Sequence, residues 1–370
     1  MNGVYLHIPF CKSKCPYCDF HSQRCDDDLR AQYTCALIDE IKTLRRTKAF
    51  LPEGFGAVDT LYIGGGTPSV LKGEELEAII TTAKNSFNVV KGAEITVECN
   101  PGSPIEDLIH TFKKCKVNRI SLGMQSAVDE ERRILGRNTD KQRIKHVIDL
   151  LKENDIKNIS LDIMLGIPNQ TKESLTHTLE FIKECNIPHV SAYILKIEEG
   201  TFFHTHSERF DFPDDDKCCE LYEYCCEYLE NIGLRHYEIS NFASPGYESK
   251  HNTKYWTLEN YLGLGPAAHS FVDGKRFYFS RDTMAFINGE NAQFDCDGGD
   301  EKEYIMLRLR LQNGLKLSEL SKLYSSEACE KIIKKVPLLQ KHGLVSFDGE
   351  TLSLTTNGAL LSNSIIAELI

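Results

Sequence analysis

Val4-Tyr5-Leu6-His7-Ile8-Pro9-Phe10-Cys11-Lys12-Ser13-Lys14-Cys15-Pro16-Tyr17-Cys18 is the stretch that decides the fold. A short apolar run, readable as a β-strand, stops at a proline and is followed at once by three cysteines spaced by four and three residues. In α/β architectures ligands gather at the C-terminal ends of strands, so this loop stands where chemistry is expected. Three thiolates from one short loop can hold three corners of a cubane 4Fe-4S cluster and leave the fourth iron open. An open iron serves no simple electron carrier, but it can accept the amino and carboxylate groups of a small molecule. The competing reading is a zinc site, which needs a fourth ligand and usually pairs C-x-x-C knuckles. No second knuckle of that kind occurs in the chain.

Outward from this loop, apolar runs recur at Val58–Ile63, Ile95–Glu98, Arg119–Leu122, Ile159–Met164, Val190–Leu195 and around Tyr237–Ile239. Stretches of helical period separate most of them, as in Leu29, Tyr33, Leu37, Ile41 and Leu44, or Ile144, Val147, Ile148 and Leu151. Strands alternating with helices are βαβ units, whose right-handed crossovers impose a parallel sheet. Six or more of them in about 240 residues predict an α/β fold with a full or partial barrel. The Gly-rich break Cys296-Asp297-Gly298-Gly299-Asp300 predicts a boundary between a core, residues 1–295, and a C-terminal module, residues 296–370. In that module helical stretches precede two short runs across an Asp348-Gly349 turn, a winged-helix-like pattern.

Composition narrows the function. The 370 residues carry 43 Lys+Arg against 54 Asp+Glu, a net charge of −11, which is the wrong sign for a general nucleic-acid binder. Residues 300–370 balance 9 basic against 9 acidic residues, so a DNA-reading wing is not expected there. No apolar run reaches the ~18 residues of a membrane span, and the N-terminal residues have neither a basic start nor an apolar signal core. A cytoplasmic protein with reduced cysteines is the expectation.

A second motif, Tyr62-Ile63-Gly64-Gly65-Gly66-Thr67-Pro68, places three glycines at the end of the second strand, where a backbone without Cβ atoms can approach a ligand closely. Glu98 ends the third strand with a carboxylate suited to a ribose or ammonium group. Ser121-Leu122-Gly123-Met124-Gln125-Ser126, Leu135-Gly136-Arg137 and Leu161-Asp162-Ile163-Met164-Leu165-Gly166 follow, mostly at strand ends.

The cysteine spacing resembles that of the radical S-adenosylmethionine superfamily, whose open cluster iron takes the methionine end of S-adenosylmethionine. With the later motifs, and with Glu303-Tyr304-Ile305-Met306-Leu307-Arg308 in the C-terminal module, nearly the whole chain resembles the oxygen-independent coproporphyrinogen III oxidase family. That resemblance implies a partial (β/α)6 barrel and makes Cys11, Cys15 and Cys18 the cluster ligands. It puts Tyr5, Gly65 and Glu98 at the cluster-bound S-adenosylmethionine, and Tyr17, Gly66, Thr67, Gln125, Arg137 and Asp162 where catalytic members hold a second one.

Two departures separate this chain from the oxidases. They carry a further cysteine two residues after the third ligand, where Phe20 stands here, and an N-terminal extension that covers the substrate, whereas here the first ligand is already Cys11. Instead the chain has His251-Asn252-Thr253-Lys254-Tyr255-Trp256 and Gly263-Leu264-Gly265-Pro266-Ala267-Ala268-His269-Ser270. These look like the H-N-x-x-Y-W and G-L-G-x-x-A-H-S signatures of the HemW branch of haem chaperones. That branch implies a 4Fe-4S cluster, S-adenosylmethionine and haem as ligands. Its partners are haem-recipient proteins, with peripheral membrane contact compatible and no nucleic acid involved. No catalytic residue is assigned on this reading, and the enzymatic alternative is radical decarboxylation of porphyrinogen propionates. His251 beside Tyr255 and Trp256 suits a porphyrin iron, or equally braces the barrel's open end, with His269 the next candidate ligand. Cys218, Cys219, Cys225 and Cys226 lie in a helical stretch where Cys218, Leu221, Tyr222, Cys225, Leu229 and Ile232 form one apolar stripe, and buried cysteine there acts as a small hydrophobe rather than a second cluster ligand.

Overall fold

The structure, a computed structural model, describes residues 1–52 and 55–370. Six parallel strands follow in chain order: β1 Asn2–Ile8, β2 Ala57–Gly65, β3 Asn88–Cys99, β4 Arg119–Gln125, β5 Asn158–Leu165 and β6 His189–Ile194. Each pairs with the next, as a one-directional (β/α) winding requires. The helices Asp27–Thr43, Gly73–Ser86, Lys141–Glu153 and Lys172–Glu184 fall between these strands. This is an α/β core of parallel strands and intervening helices, with its large sheet extended at both edges. Beyond β6 lie the antiparallel β7 Arg235–Glu238 and β8 Asn241–Ala243. Beyond β1 lie β9 Tyr261–Leu264, β10 His269–Val272, β11 Lys275–Tyr278 and β12 Gln293–Asp297.

Strand alternation gives the sheet two unlike faces. Val4, Leu6, Ile8, Leu61, Ile63, Val97, Ile120, Leu122, Leu161 and Ile163 are buried against helix residues such as Tyr33, Leu37, Ile80, Val147 and Leu179 in one large apolar core. The opposite face is polar, with Tyr62, Glu98, Arg119, Ser121, Asp162 and Ser191. In register, Glu98 stands beside Ser121, Gly123 beside Asp162, and Asp162 beside Ser191, so chemistry-bearing side chains of four strands form adjacent rows. Helix starts are set by caps: Asp26 accepts from the Leu29 amide and Asp140 from the Arg143 amide.

The C-terminal module has a separate apolar core built on Tyr304, Leu320, Ile332, Val336, Leu339, Leu352 and Ile365. Helices Glu301–Arg308, Leu317–Leu323 and Ser326–Lys341 precede the hairpin β14 Val345–Phe347 and β15 Thr351–Leu354, which β13 Leu315–Lys316 completes as a three-stranded sheet. Arg276 Nε donates to Glu303 across 2.9 Å, the Gln312 amide donates to the Tyr237 carbonyl, and the Arg310 guanidinium lies 5.0 Å from the Trp256 ring. The module therefore packs against the sheet's last strands and the His251–Trp256 helix.

Candidate functional site

The C-terminal ends of the parallel strands open into a cavity of about 660 Å³. Cys11, Cys15 and Cys18 all line it as free, half-buried thiols. The Cys11 amide donates to the Gln23 carbonyl and the Cys18 amide to the Cys15 carbonyl, so backbone bonds shape the loop without using the sulfurs. Burial pushes the Cys18 thiol up, opposed by a backbone hydrogen bond from Phe20 and by the Lys14 charge. Among the described residues no three His, Cys, Asp or Glu side chains converge as one metal ion would require. A cubane takes each thiolate on a different corner, so three separated thiols facing one cavity fit it better than they fit a single zinc.

Gly65 has φ +113°, and a Cβ there would fall 2.6 Å from the His7 ring; at Gly66 it would fall 2.6 Å from the Phe10 carbonyl oxygen. The end of β2 is thus pressed against the end of β1 and the start of the cysteine loop at a spot where only glycine fits. Thr67 Oγ1 lies 3.3 Å from Cys11 Sγ. Glu98 accepts from Tyr62 Oη at 2.7 Å and from the Gly65 amide at 3.0 Å. Burial lifts its carboxyl to about 7, with the Tyr62 bond opposing and Asp162 adding.

On the other side, the β4–β5 register slips between Gly123 and Gln125, and Gln125 adopts φ 72° at the strand end. A non-glycine residue held there is a strained position of the kind that marks ligand sites. Arg137 Nη2 donates to Tyr17 Oη at 3.0 Å, tying the cysteine loop to the turn after the short helix Asp129–Ile134. Asp162 accepts from Ser121 Oγ at 3.0 Å, and burial lifts its carboxyl to about 6. Of the residues singled out from sequence, Tyr17, Gly65, Gly66, Thr67, Glu98, Gln125, Arg137 and Asp162 all line this cavity with the cysteines.

Tyr5 and His251 do not line the cavity themselves but pack in an aromatic cluster with Tyr62, which does. Tyr5 Oη is 3.0 Å from His7 Nδ1, and its ring stands 6.0 Å from that of Tyr62 and 6.4 Å from that of His251. His251 is 1% exposed, with Nδ1 2.8 Å from Thr60 Oγ1 and Nε2 3.0 Å from Tyr255 Oη. Both ring nitrogens are engaged, and burial holds the ring neutral with a pKa lowered to about 3. Its neighbour Asn252 is the member of the motif that reaches the cavity. His269 is exposed on β10 and stacks on Tyr278. Cys225 is buried with Leu221, Tyr222 and Leu229 in the helix Asp215–Asn231, on the apolar stripe the sequence predicts, where Cys218 is half-buried; Cys226, off that stripe, is buried as well. Sequence reasoning passed over Arg119, Ser191 and Tyr193, all of which line the cavity. Strand alternation counted back from Ser121 is the signal that finds Arg119.

A parallel (β/α) core carrying a three-cysteine loop and a triple-glycine turn defines a radical S-adenosylmethionine protein. Residues 5–182 match the family model described as Radical SAM superfamily, and residues 302–361 match that of the HemN C-terminal domain. The superfamily implies a 4Fe-4S cluster and S-adenosylmethionine as cofactors. Two similar proteins carry the name Heme chaperone HemW. The one from Escherichia coli K12 is 32% identical over 98% of this chain and 97% of its own length. The one from Lactococcus lactis is 30% identical over 98% and 96%. The chain belongs to the HemW family. The solved coproporphyrinogen III oxidase HemN of Escherichia coli superposes with a TM-score of 0.83 over 100% of this chain and 89% of its own, at 22% identity, and so shares the fold.

Proposed function

We propose that this protein is a cytoplasmic haem chaperone that binds haem and passes it to recipient proteins. The observation that carries the reading is similarity over nearly the full length to several proteins named Heme chaperone HemW. Two features of the chain support it. Phe20, at the position where the oxidases hold a further cysteine, is 70% exposed on the cavity rim. Among the described residues no helix is long and apolar enough to cross a membrane.

In this reading Cys11, Cys15 and Cys18 hold the cluster, and a bound cluster supplies one open iron to S-adenosylmethionine. Gly65 and Gly66 offer backbone groups to its methionine end, and Glu98 accepts from its ammonium or ribose. Tyr17, Thr67, Gln125, Arg137 and Asp162 are the polar groups for any second molecule. Tyr5 and His251 brace this wall from behind, and the haem ligand lies outside the engaged imidazole of His251. Residues 1–295 and 296–370 act as core and packing module, except that the boundary falls inside β12 and Cys296 and Asp297 stay with the core sheet.

The ring of Gln125, Arg137 and Asp162 around the cavity favours the oxidase reading, so the deciding experiment sets the two against each other. The reconstituted protein is incubated anaerobically with coproporphyrinogen III, a reductant and S-adenosylmethionine, and haem binding is titrated in parallel. About one haem per chain with no protoporphyrinogen IX is the expected result. Conversion to protoporphyrinogen IX overturns the chaperone reading.

A further inference from the structure

Arg119 opens β4 at the end of the sheet away from the cluster loop, and its side chain lines the cavity with Ser121, on the same strand face. It is 1% exposed, and its Nε and Nη1 are buried without any hydrogen-bond partner. The acidic groups around it are already engaged. Glu94 accepts from the Lys250 and His251 amides at 3.1 Å, and Asp162 accepts from Ser121. Both lend Arg119 charge at longer range, but neither forms an ion pair or hydrogen bond with it. The imidazoles of His189 and His251, both held neutral by burial with Arg119 acting in the same direction, supply no counter-charge. An unpartnered guanidinium in such surroundings is costly for the folded protein, and a planar anion with two oxygens is the group that relieves it.

We propose that Arg119 is the anchor for a ligand carboxylate at the floor of this cavity. A methionine end bound at the cluster would place its carboxylate among the cysteines and Gly65, at the opposite end, so the anion at Arg119 belongs to another ligand group. Two sources carry that chemistry: a porphyrin propionate, or the carboxylate of a second S-adenosylmethionine. The assignment rests on the reading of the cavity as the ligand site and not on haem transfer.

The test uses anaerobically reconstituted protein with its iron content and thermal midpoint checked. Haemin and its dimethyl ester, and S-adenosylmethionine and its methyl ester, are titrated against wild type, Arg119→Gln and Arg119→Lys. The wild type should bind the acid of one pair at least about tenfold more tightly than its ester, the size of a charge-assisted hydrogen bond. Arg119→Gln should remove that preference, apart from the share that cluster-bound S-adenosylmethionine keeps through its own carboxylate, and Arg119→Lys should retain part of it. A preference in the haemin pair that Arg119→Gln removes assigns the propionate, and the share of the preference in the S-adenosylmethionine pair that Arg119→Gln removes assigns the second carboxylate. A wild type that binds no haem at all defeats the chaperone reading, while the S-adenosylmethionine pair still tests Arg119. Equal affinity for acid and ester in every pair that binds overturns the proposal, whether or not the variants fold, and so does a preference that survives intact in a folded Arg119→Gln protein.

Discussion

Replacing Gly65 by alanine tests whether the triple glycine is a ligand cradle. The added Cβ would meet three atoms of the His7 ring at 2.6–2.9 Å. The ring cannot swing aside freely, because Nδ1 is bonded to Tyr5 Oη and Nε2 to the His21 carbonyl, each at 3.0 Å. A side chain at φ +113° costs about 1–3 kcal/mol. Forcing atoms into a packed wall costs about 1–3 kcal/mol more. The sum of roughly 2–6 kcal/mol is a large part of a typical folding stability of about 5–15 kcal/mol. Whatever strain the chain relieves by moving the end of β2 displaces the cradle, and each 1.4 kcal/mol lost from binding is about tenfold in affinity. Gly343→Ala is the internal control. It too has positive φ, 69°, but its Cβ meets nothing within 4 Å, so only the backbone cost of about 1 kcal/mol applies. Anaerobic calorimetry with S-adenosylmethionine should show Gly65→Ala at least about tenfold weaker with iron content retained, and Gly343→Ala unchanged. Undiminished affinity in a folded, cluster-loaded Gly65→Ala protein would refute the argument and reduce the glycines to a turn.

Alanine at Cys11, Cys15 or Cys18 should remove the brown chromophore and most of the iron after reconstitution, while Cys218→Ala and Cys225→Ala leave iron unchanged; colorimetric iron assay decides, and full iron in the triple variant refutes the ligand assignment. Burial lifts Glu98 from 4.5 to about 7, so across that window the folded protein holds a proton that the unfolded chain releases, and its stability contribution falls as pH rises. Glu98→Gln should therefore gain roughly 1–3 kcal/mol on wild type between pH 5 and 7.5, with solvent in the cavity discounted; a pH-independent difference in denaturation midpoints contradicts this. His251→Ala leaves a buried void and strands Thr60 and Tyr255, so it should lose roughly 2–4 kcal/mol of stability. Haem affinity by Soret titration should hold at a temperature where that variant is folded. A selective loss of haem there would restore His251 as a ligand.

Sequence by itself determined the parts of this protein whose chemistry is local. Three cysteines spaced by four and three on one loop, glycines where β2 meets that loop, and apolar residues alternating along β1 to β6 are consequences of short-range spacing, and all are found in place. The helix Ser326–Lys341 was not legible because Pro337 interrupts its pattern, yet apolar contacts from Cys329, Ile332, Val336 and Leu339 hold it together. Tertiary structure alone decided which residues share a cavity. His251 and Asn252 are neighbours in the chain, but one is sealed between Thr60 and Tyr255 and the other faces the site. Arg119 reads as an ordinary strand-edge charge until the assembled strands put its row on the cavity wall and other donors occupy the acids near it. Burial, and with it the lifted carboxyl groups of Glu98 and Asp162, depends on strands brought together from positions tens of residues apart. No local pattern encodes that desolvation.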